Sequence, residues 1–166
     1  MPVRPVLVLP SAVLTRPSSP IGEIDDAALA LAQDLVDTMR SRPACVGVAA
    51  PQIGVRRRAF AVDVTGHRKA RSCAGLVVLF DPEVLVAEEP EVAREGCLSV
   101  PDLTGDVARA TRVVVRGRTP AGEEQVIEAD AFEARALLHE VDHLDGRVFL
   151  DRVASHTSVF RRKVYR

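Results

Sequence analysis

The stretch 130–146, "DAFEARALLHEVDHLDG", decides the fold of this chain because it predicts a helix with one apolar face and two histidines on one side. Asp130 and Glu133 have the spacing of a capping box, and Gly146 stands where a glycine can end the helix. The apolar face consists of Ala134, Leu137, Val141 and Leu144. Apolar residues at this spacing indicate that the helix packs against the rest of the domain.

The same helix carries an HExxH pattern. Histidines four residues apart on a helix point the same way, so His139 and His143 can bind one metal ion. Glu140 is rotated by about 100° from His139 and can reach a metal-bound water without being a ligand. A single histidine is more often a core or surface residue, but this pattern favours a metal site. Open hydrolytic metal sites normally use three protein ligands, so a third residue is required.

No residue after the helix completes the metal site in a familiar protease pattern. Phe149 occupies the position of a third metzincin histidine, and no glutamate follows Glu140, which excludes the thermolysin arrangement. Asp151 and His156 remain open as ligands, although neither lies in a recognisable pattern. The sequence therefore favours a third ligand upstream of the helix.

Cys97, in "REGCLSVP" (94–101), is the best upstream candidate, because a thiolate with two imidazoles suits zinc or ferrous iron. Considered alone, a free cysteine is more often a small buried hydrophobe. The segment "CVGVAAPQIG" (45–54) adds Gly47, where a ligand backbone can approach closely, and Gln52, whose amide can donate to a developing oxyanion. By itself that segment is equally consistent with tight packing or a turn.

Composition indicates one soluble domain, residues 1–166, with 47% hydrophobic and 27% charged residues. The formal net charge of -1 favours neither nucleic acid nor an anionic membrane as a partner. Three cysteines without a CxxC pair make a disulfide framework unlikely and fit a reducing compartment. No signal-peptide core or membrane-spanning run is present in the sequence, so we expect a cytoplasmic protein.

The rest of the chain predicts an α+β fold, with antiparallel or mixed sheets packed around the central HExxH helix. A first helix is predicted before Pro43, with one apolar face formed by Ile24, Ala28, Leu31, Leu35 and Met39. Short strands are predicted at "AFAVDV", "GLVVLF", "CLSV", "RVVVRG" and "EEQVIEA". A short final helix is predicted at "SHTSVFRRKVY" (155–165).

Three segments together resemble the signatures of the peptide deformylase family, GxGxAAxQ, EGCLS and QHExDHL. This sequence has "CVGVAAPQ" (45–52), "EGCLS" (95–99) and "LHEVDHL" (138–144), in the same order and at compatible spacing. The resemblance extends from the first predicted helix to about "VFLDRV" (148–153). It implies an α+β fold and a metal-dependent hydrolase that removes the formyl group from the formyl-Met of nascent polypeptides.

The resemblance also implies roles for individual residues. The metal ligands would be Cys97, His139 and His143. Glu140 would be the general acid and base, and the Gln52 side chain with the Leu98 backbone N–H would form the oxyanion hole. Glu95 and Arg109 would form a structural ion pair behind the metal site. A substrate strand edge and pocket would involve Val46, Gly47, Leu98, Phe132 and Ala136.

The implied cofactor is one Fe²⁺ per chain, with Zn²⁺ or Ni²⁺ as substitutes. The implied partners are N-formylated peptides or nascent chains at the ribosome, bound by a monomer with no direct nucleic-acid or membrane contact. Cys45 and Leu138 depart from the signatures, at the first glycine and at the glutamine before HExxH, and neither removes a catalytic group. The alternatives are a hydrolase of another formamide, a metalloprotease, or a non-catalytic binding relative.

Overall fold

The computed structural model describes residues 3–162, which form an α+β fold built on an antiparallel sheet. The helices are α1 (Asp26–Arg40) and α2 (Ala131–Leu144). The strands are β1 (Gly47–Ala49), β2 (Ala59–Val62), β3 (Val77–Cys97), β4 (Val100–Arg118), β5 (Glu124–Asp130) and β6 (Val159–Arg161). The strand order is β1-β2-β3-β4-β5, and β6 pairs with β4. The predicted fold class is confirmed.

The first predicted helix is confirmed as α1. The side chain of Asp25 caps it by accepting a hydrogen bond of 2.9 Å from the Ala28 backbone N–H. Its predicted apolar face is buried from Ala28 to Met39, while Ile24 precedes the helix and is partly buried. This face packs on β1 and β2, so α1 covers the face of the sheet opposite to α2.

Helix α2 is confirmed, but its predicted capping box is wrong. The Asp130 side chain accepts from the Ser72 backbone N–H at 3.0 Å, and Glu133 accepts from the Ala74 N–H at 2.7 Å. Both carboxylates therefore fasten the connection between β2 and β3 to the start of α2, instead of capping the helix. At the other end, Gly146 has a φ of 76°, the left-handed conformation expected of a glycine that follows a helix.

Strands β3 and β4 form a long hairpin that places the cysteine of the predicted site. The segment "CLSV", predicted as a strand, contains the two-residue turn Leu98–Ser99 between paired Cys97 and Val100. The tight turn brings β3 directly back as β4, so Cys97 lies at the tip of the hairpin.

The predicted final helix is wrong within the described residues. Val159–Arg161 form β6 against Leu103–Gly105 of β4, because the edge of that hairpin offers unpaired backbone groups. Residues 163–166 lie outside the described part of the chain. Neither helix of residues 3–162 is long and apolar enough to span a membrane.

Candidate metal centre

The hairpin tip and α2 bring three metal-binding side chains together. Cys97 Sγ lies 3.3 Å from His143 Nε2, and His143 Nε2 lies 3.2 Å from His139 Nε2. The three ligand atoms lie within 4.8 Å of one another, and no other such group is found in residues 3–162. The upstream cysteine thus lies with the two histidines. The other two candidate ligands from the sequence are not in this group: Asp151 accepts from the Val148 N–H at 2.9 Å, and His156 is exposed.

These separations suit a single ion. Ligands bound tetrahedrally at about 2.1 Å (nitrogen) and 2.3 Å (sulfur) are roughly 3.4–3.7 Å apart. Nδ1 of His139 contacts the Glu95 carboxylate, which leaves its Nε2 free to face Cys97 and His143. Such a carboxylate–histidine contact orients a metal ligand and fixes its tautomer. The donor set of one thiolate and two imidazoles therefore fits zinc or ferrous iron.

A buried chain of charges stands behind the ligands. Arg109 donates to Glu95 at 2.7 Å and to Asp142 at 2.8 Å, so the implied Glu95–Arg109 ion pair is present. Arg152 extends the chain with hydrogen bonds of 2.6 and 3.0 Å to Asp142. Burial tends to raise the pKa of Glu95, but hydrogen bonds from His139 and Arg109 outweigh it and lower that pKa to about 2.

Asp142 and Arg152 were not predicted as site residues from the sequence. Asp142 lies inside the HExxH segment, and its burial beside an arginine is a signal that helical spacing alone does not reveal. Arg152 is contributed by the turn Phe149–Arg152, which has no sequence pattern pointing to the site. Arg135 was also missed, although it lies one helical turn before His139 and donates to the backbone carbonyl of Val107 at 2.7 Å.

Glu140 is buried beside the ligands. A Cβ atom on Gly47 would lie 2.6 Å from Glu140 Oε2, so the strand β1 passes directly against this carboxylate. Oε1 of Glu140 is buried and has no hydrogen-bond partner among the described residues. Burial raises the pKa of Glu140 to about 7. A carboxyl group with this pKa, and with one buried oxygen that has no hydrogen-bond partner, can exchange protons near neutral pH.

The amide of Gln52 faces the ligand cluster. Its Oε1 accepts from the Ala49 N–H at 3.0 Å, which fixes the orientation of the amide. Its Nε2 donates to Ser99 Oγ at 3.1 Å and lies 3.6 Å from Cys97 Sγ. Ser99, which sequence analysis missed, therefore holds one amide hydrogen while the other points toward the ligands. Leu98 is half-buried in the adjacent turn.

The residues predicted to bind substrate border one region of the α2 surface. Phe132 and Ala136 lie seven and three residues before His139, so they share its face of the helix. Val46 and Phe132 are half-buried against the same core cluster, and Ala136 is buried. His67, which sequence analysis missed, stacks on Phe132 with ring centroids 3.9 Å apart and planes 2° from parallel.

Comparisons with known proteins identify a family with similar sequences. The family model described as Polypeptide deformylase matches residues 3–159. The chain is 42% identical over 153 residues to the peptide deformylase of Halothermothrix orenii, with 92% of this chain and 95% of that protein covered. It is 39% identical over 155 residues to that of Bartonella tribocorum, with 93% and 86% covered.

Solved structures are similar over nearly the whole chain. The peptide deformylase of Thermotoga maritima superposes with a TM-score of 0.82 at 32% identity and covers 92% of this chain and 99% of that one. The Met-Ala-Ser-bound class I type b peptide deformylase of Acinetobacter baumannii has a TM-score of 0.82 at 34% identity, with 90% and 99% covered.

Proposed function

The chain belongs to the polypeptide deformylase family, enzymes that remove the N-formyl group from nascent polypeptides, and we propose that it performs this hydrolysis at Cys97, His139 and His143. The observation that carries the proposal is the convergence of one sulfur and two ring nitrogens within 4.8 Å, with Glu140 buried beside them. Three protein ligands leave a coordination position for water, and a neighbouring carboxylate can exchange protons with that water.

We propose one Fe²⁺ per chain, with Zn²⁺ or Ni²⁺ able to replace it at the same ligands. When bound, the ion supplies Lewis acidity that lowers the pKa of water from about 15.7 toward 7. Glu95 keeps His139 in the tautomer that presents Nε2, and Arg109 keeps Glu95 ionised for that task. The buried charges thereby set the geometry of the ligands before any ion arrives.

Glu140 acts as the general base and then as the general acid. It removes a proton from the attacking water as the oxygen bonds to the formyl carbon. It then delivers a proton to the amine nitrogen as the C–N bond breaks, which releases formate. A pKa of about 7 suits both steps near neutral pH.

Gln52 stabilises the oxygen that becomes negatively charged during attack. The Ala49 N–H and the Ser99 hydroxyl hold the amide so that its second N–H faces the ligand cluster. The backbone N–H of Leu98 supplies the second donor in this proposal. Removal of one such donor typically reduces kcat by about 10²–10³-fold.

The peptide binds as an added strand on β1. Strand β1 pairs only with β2 within residues 3–162, so its other edge can accept the backbone of a substrate. Gly47 allows close approach, and Val46, Phe132 and Ala136 contribute the walls of an apolar pocket for the methionine side chain. The peptide-bound A. baumannii structure supports this class of ligand.

The remaining parts of the proposal concern the setting of the enzyme. It acts as a monomeric single domain (residues 1–166) in the cytoplasm, on N-formylated chains emerging from the ribosome, without contacting nucleic acid or membrane itself.

Formate release from formyl-Met-Ala-Ser tests the function. Protein purified without oxygen should contain about one metal ion per chain and release formate. Glu140→Gln, which preserves size, should retain the metal and lose activity, whereas Cys97→Ala should lose the metal. Unchanged turnover in Glu140→Gln, or unchanged metal content in Cys97→Ala, would contradict the assigned roles. Hydrolysis of small formamides with none of formyl-Met peptides would indicate a different substrate.

A further inference from the structure

We propose that residues 64–75, here called the basic loop, form a cationic rim that favours substrates with acidic side chains a few residues after the formyl-Met. This inference rests on the proposed function, because it concerns the downstream part of the same bound peptide. The loop connects β2 to β3 and approaches the site from the start of α2.

The charge of the basic loop is of one sign. Arg68, Lys69 and Arg71 are all exposed, and no acidic residue occurs between Asp63 and Asp81. Three cations within four residues repel one another, which is unfavourable unless a partner or the fold compensates. The chain as a whole has a net charge of -1, so this concentration is local and does not reflect an overall basic composition.

The basic loop is anchored at several points, which fixes the backbone that carries its charged side chains. Ser72 Oγ donates to Glu133 Oε1 at 2.8 Å and accepts from the Asp130 N–H at 2.9 Å. The Ala74 N–H donates to the other oxygen of Glu133, a residue that is only 1% exposed. His67 stacks flat on Phe132, and its Nδ1 accepts from the Lys69 N–H at 3.2 Å. A charged segment fixed in this way loses little conformational entropy on binding.

The route of the peptide leads to this loop. Gln52 follows the C-terminal end of β1 and lies beside Cys97, so the formyl end of the peptide belongs there. A strand added antiparallel to β1 then runs past Gly47 toward Val46. The Val46 carbonyl accepts from the Asp63 N–H at 2.9 Å, and the basic loop begins at the next residue. Downstream residues therefore leave β1 on the side of the loop.

The separation between the ligand cluster and the basic loop is short enough for a bound peptide to span. Phe132, on which the loop rests, precedes His139 by seven residues, or roughly 10 Å along the helix axis at 1.5 Å per residue. An extended peptide advances about 3.3 Å per residue, so the third to fifth residues of the substrate come level with His67 and Phe132. Successive side chains of an extended peptide point to opposite faces, so either the fourth residue or its two neighbours face the exposed guanidinium and ammonium groups of the basic loop.

Neighbouring acidic groups offset only part of this charge. Asp63 lies 3.8 Å from Arg40 in an ion pair, while Asp130 and Glu133 accept hydrogen bonds from neutral groups of the loop and keep their own charge. These two carboxylates face the anchored side of the loop and offset part of its charge, whereas the three cations are on its exposed side. Arg42, which is exposed, lies five residues before the start of β1 and adds a further positive charge at this end of the strand. The local field therefore favours an anionic peptide.

The experiment compares kcat/KM for three formyl peptides that differ only at positions four and five: formyl-Met-Ala-Ser followed by Glu-Glu, Ala-Ala or Lys-Lys. We expect kcat/KM for the Glu-Glu peptide to exceed that for the Lys-Lys peptide by about 3- to 10-fold at low ionic strength, because several exposed charge pairs add together. This ratio should fall toward one in high salt, which screens exposed charges. The variant R68E/K69E/R71E should invert the ratio.

A matched control carries its charge change at the opposite end of α2. Arg16 is exposed, and its backbone lies next to Gly146, so Arg16→Glu alters net charge far from the loop and should keep the wild-type ratio. Equal rates for the three peptides, or the same ratio in the triple variant as in Arg16→Glu, would overturn the inference while formyl-Met-Ala-Ser is still hydrolysed. Loss of activity on formyl-Met-Ala-Ser in the wild type would instead overturn the proposed function.

Discussion

Gly47 and Glu140 are in direct contact, since a Cβ atom at position 47 would lie 2.6 Å from Oε2 of Glu140. The first strand of the sheet and the helix that carries the histidines thus meet at the one carboxylate proposed to transfer protons. A residue larger than glycine cannot occupy position 47 without displacing that carboxylate.

Gly47→Ala should reduce kcat/KM by about 100-fold with little loss of stability. The Glu140 carboxylate is the flexible end of its side chain and can move away, but a displacement of about 1 Å is enough to impair proton transfer. Formate release measures the first effect and thermal unfolding the second. Val126→Ala, a change at an exposed position of β5 outside the proposed site, is the control. Wild-type turnover in Gly47→Ala would show that Glu140 need not occupy this position.

Ser99→Ala should reduce kcat by about 10-fold, because Gln52 loses the acceptor that holds one of its amide hydrogens. Gln52→Ala should cost about 10²–10³-fold. If Ser99 acts through Gln52, the double variant should be no slower than Gln52→Ala alone. Additive losses would assign Ser99 a separate role.

Arg109→Met should destabilise the fold by about 3–5 kcal/mol, since it leaves Glu95 and Asp142 buried without their shared partner. Arg116→Met is the matched control, because Arg116 pairs with Glu83 on the surface, where their side chains are 42% and 62% exposed. Exposed pairs contribute about 0–1 kcal/mol. Urea unfolding compares the two, and equal losses would contradict the buried role of Arg109.

The low pKa of Glu95 predicts acid-dependent stability. Its pKa is about 2 in the folded protein against a reference value of 4.5, so the folded state favours the ionised form. This stabilisation, about 3 kcal/mol, is complete above roughly pH 5 and is lost as the pH falls toward 2. Urea unfolding across this range should show a steeper dependence for the wild type than for Glu95→Gln. Parallel curves would refute the assignment.

Cys45 should resist alkylation at pH 8, whereas exposed Cys73 should react quickly. Burial raises the pKa of Cys45 to about 11, although a backbone interaction with Gly47 partly opposes the shift, so little thiolate is present. Peptide mapping after iodoacetamide treatment measures both sites. Equal modification of Cys45 and Cys73 would show that Cys45 is neither buried nor shifted.

Local sequence patterns predicted much of this fold and site. Helical spacing identified α1, α2 and the shared face of His139 and His143, because those properties depend on residues within one turn of each other. The pattern at Asp130 and Glu133 was misinterpreted, since a capping box and a loop anchor use the same side chains. The final helix was predicted wrongly because residues 159–161 pair with the edge of β4, a contact between distant parts of the chain that local patterns do not show.

The sequence alone determined the two α-helices, the pair of histidines on α2 and, through its three signatures, the family. Only the tertiary structure decided that Cys97 Sγ meets those imidazoles, that Arg109 bridges Glu95 to Asp142, and that His67 of the basic loop stacks on Phe132 of α2. The reason is physical: helix periodicity is a short-range property of the backbone, whereas these contacts join residues that hairpin pairing and core packing bring together from distant parts of the chain.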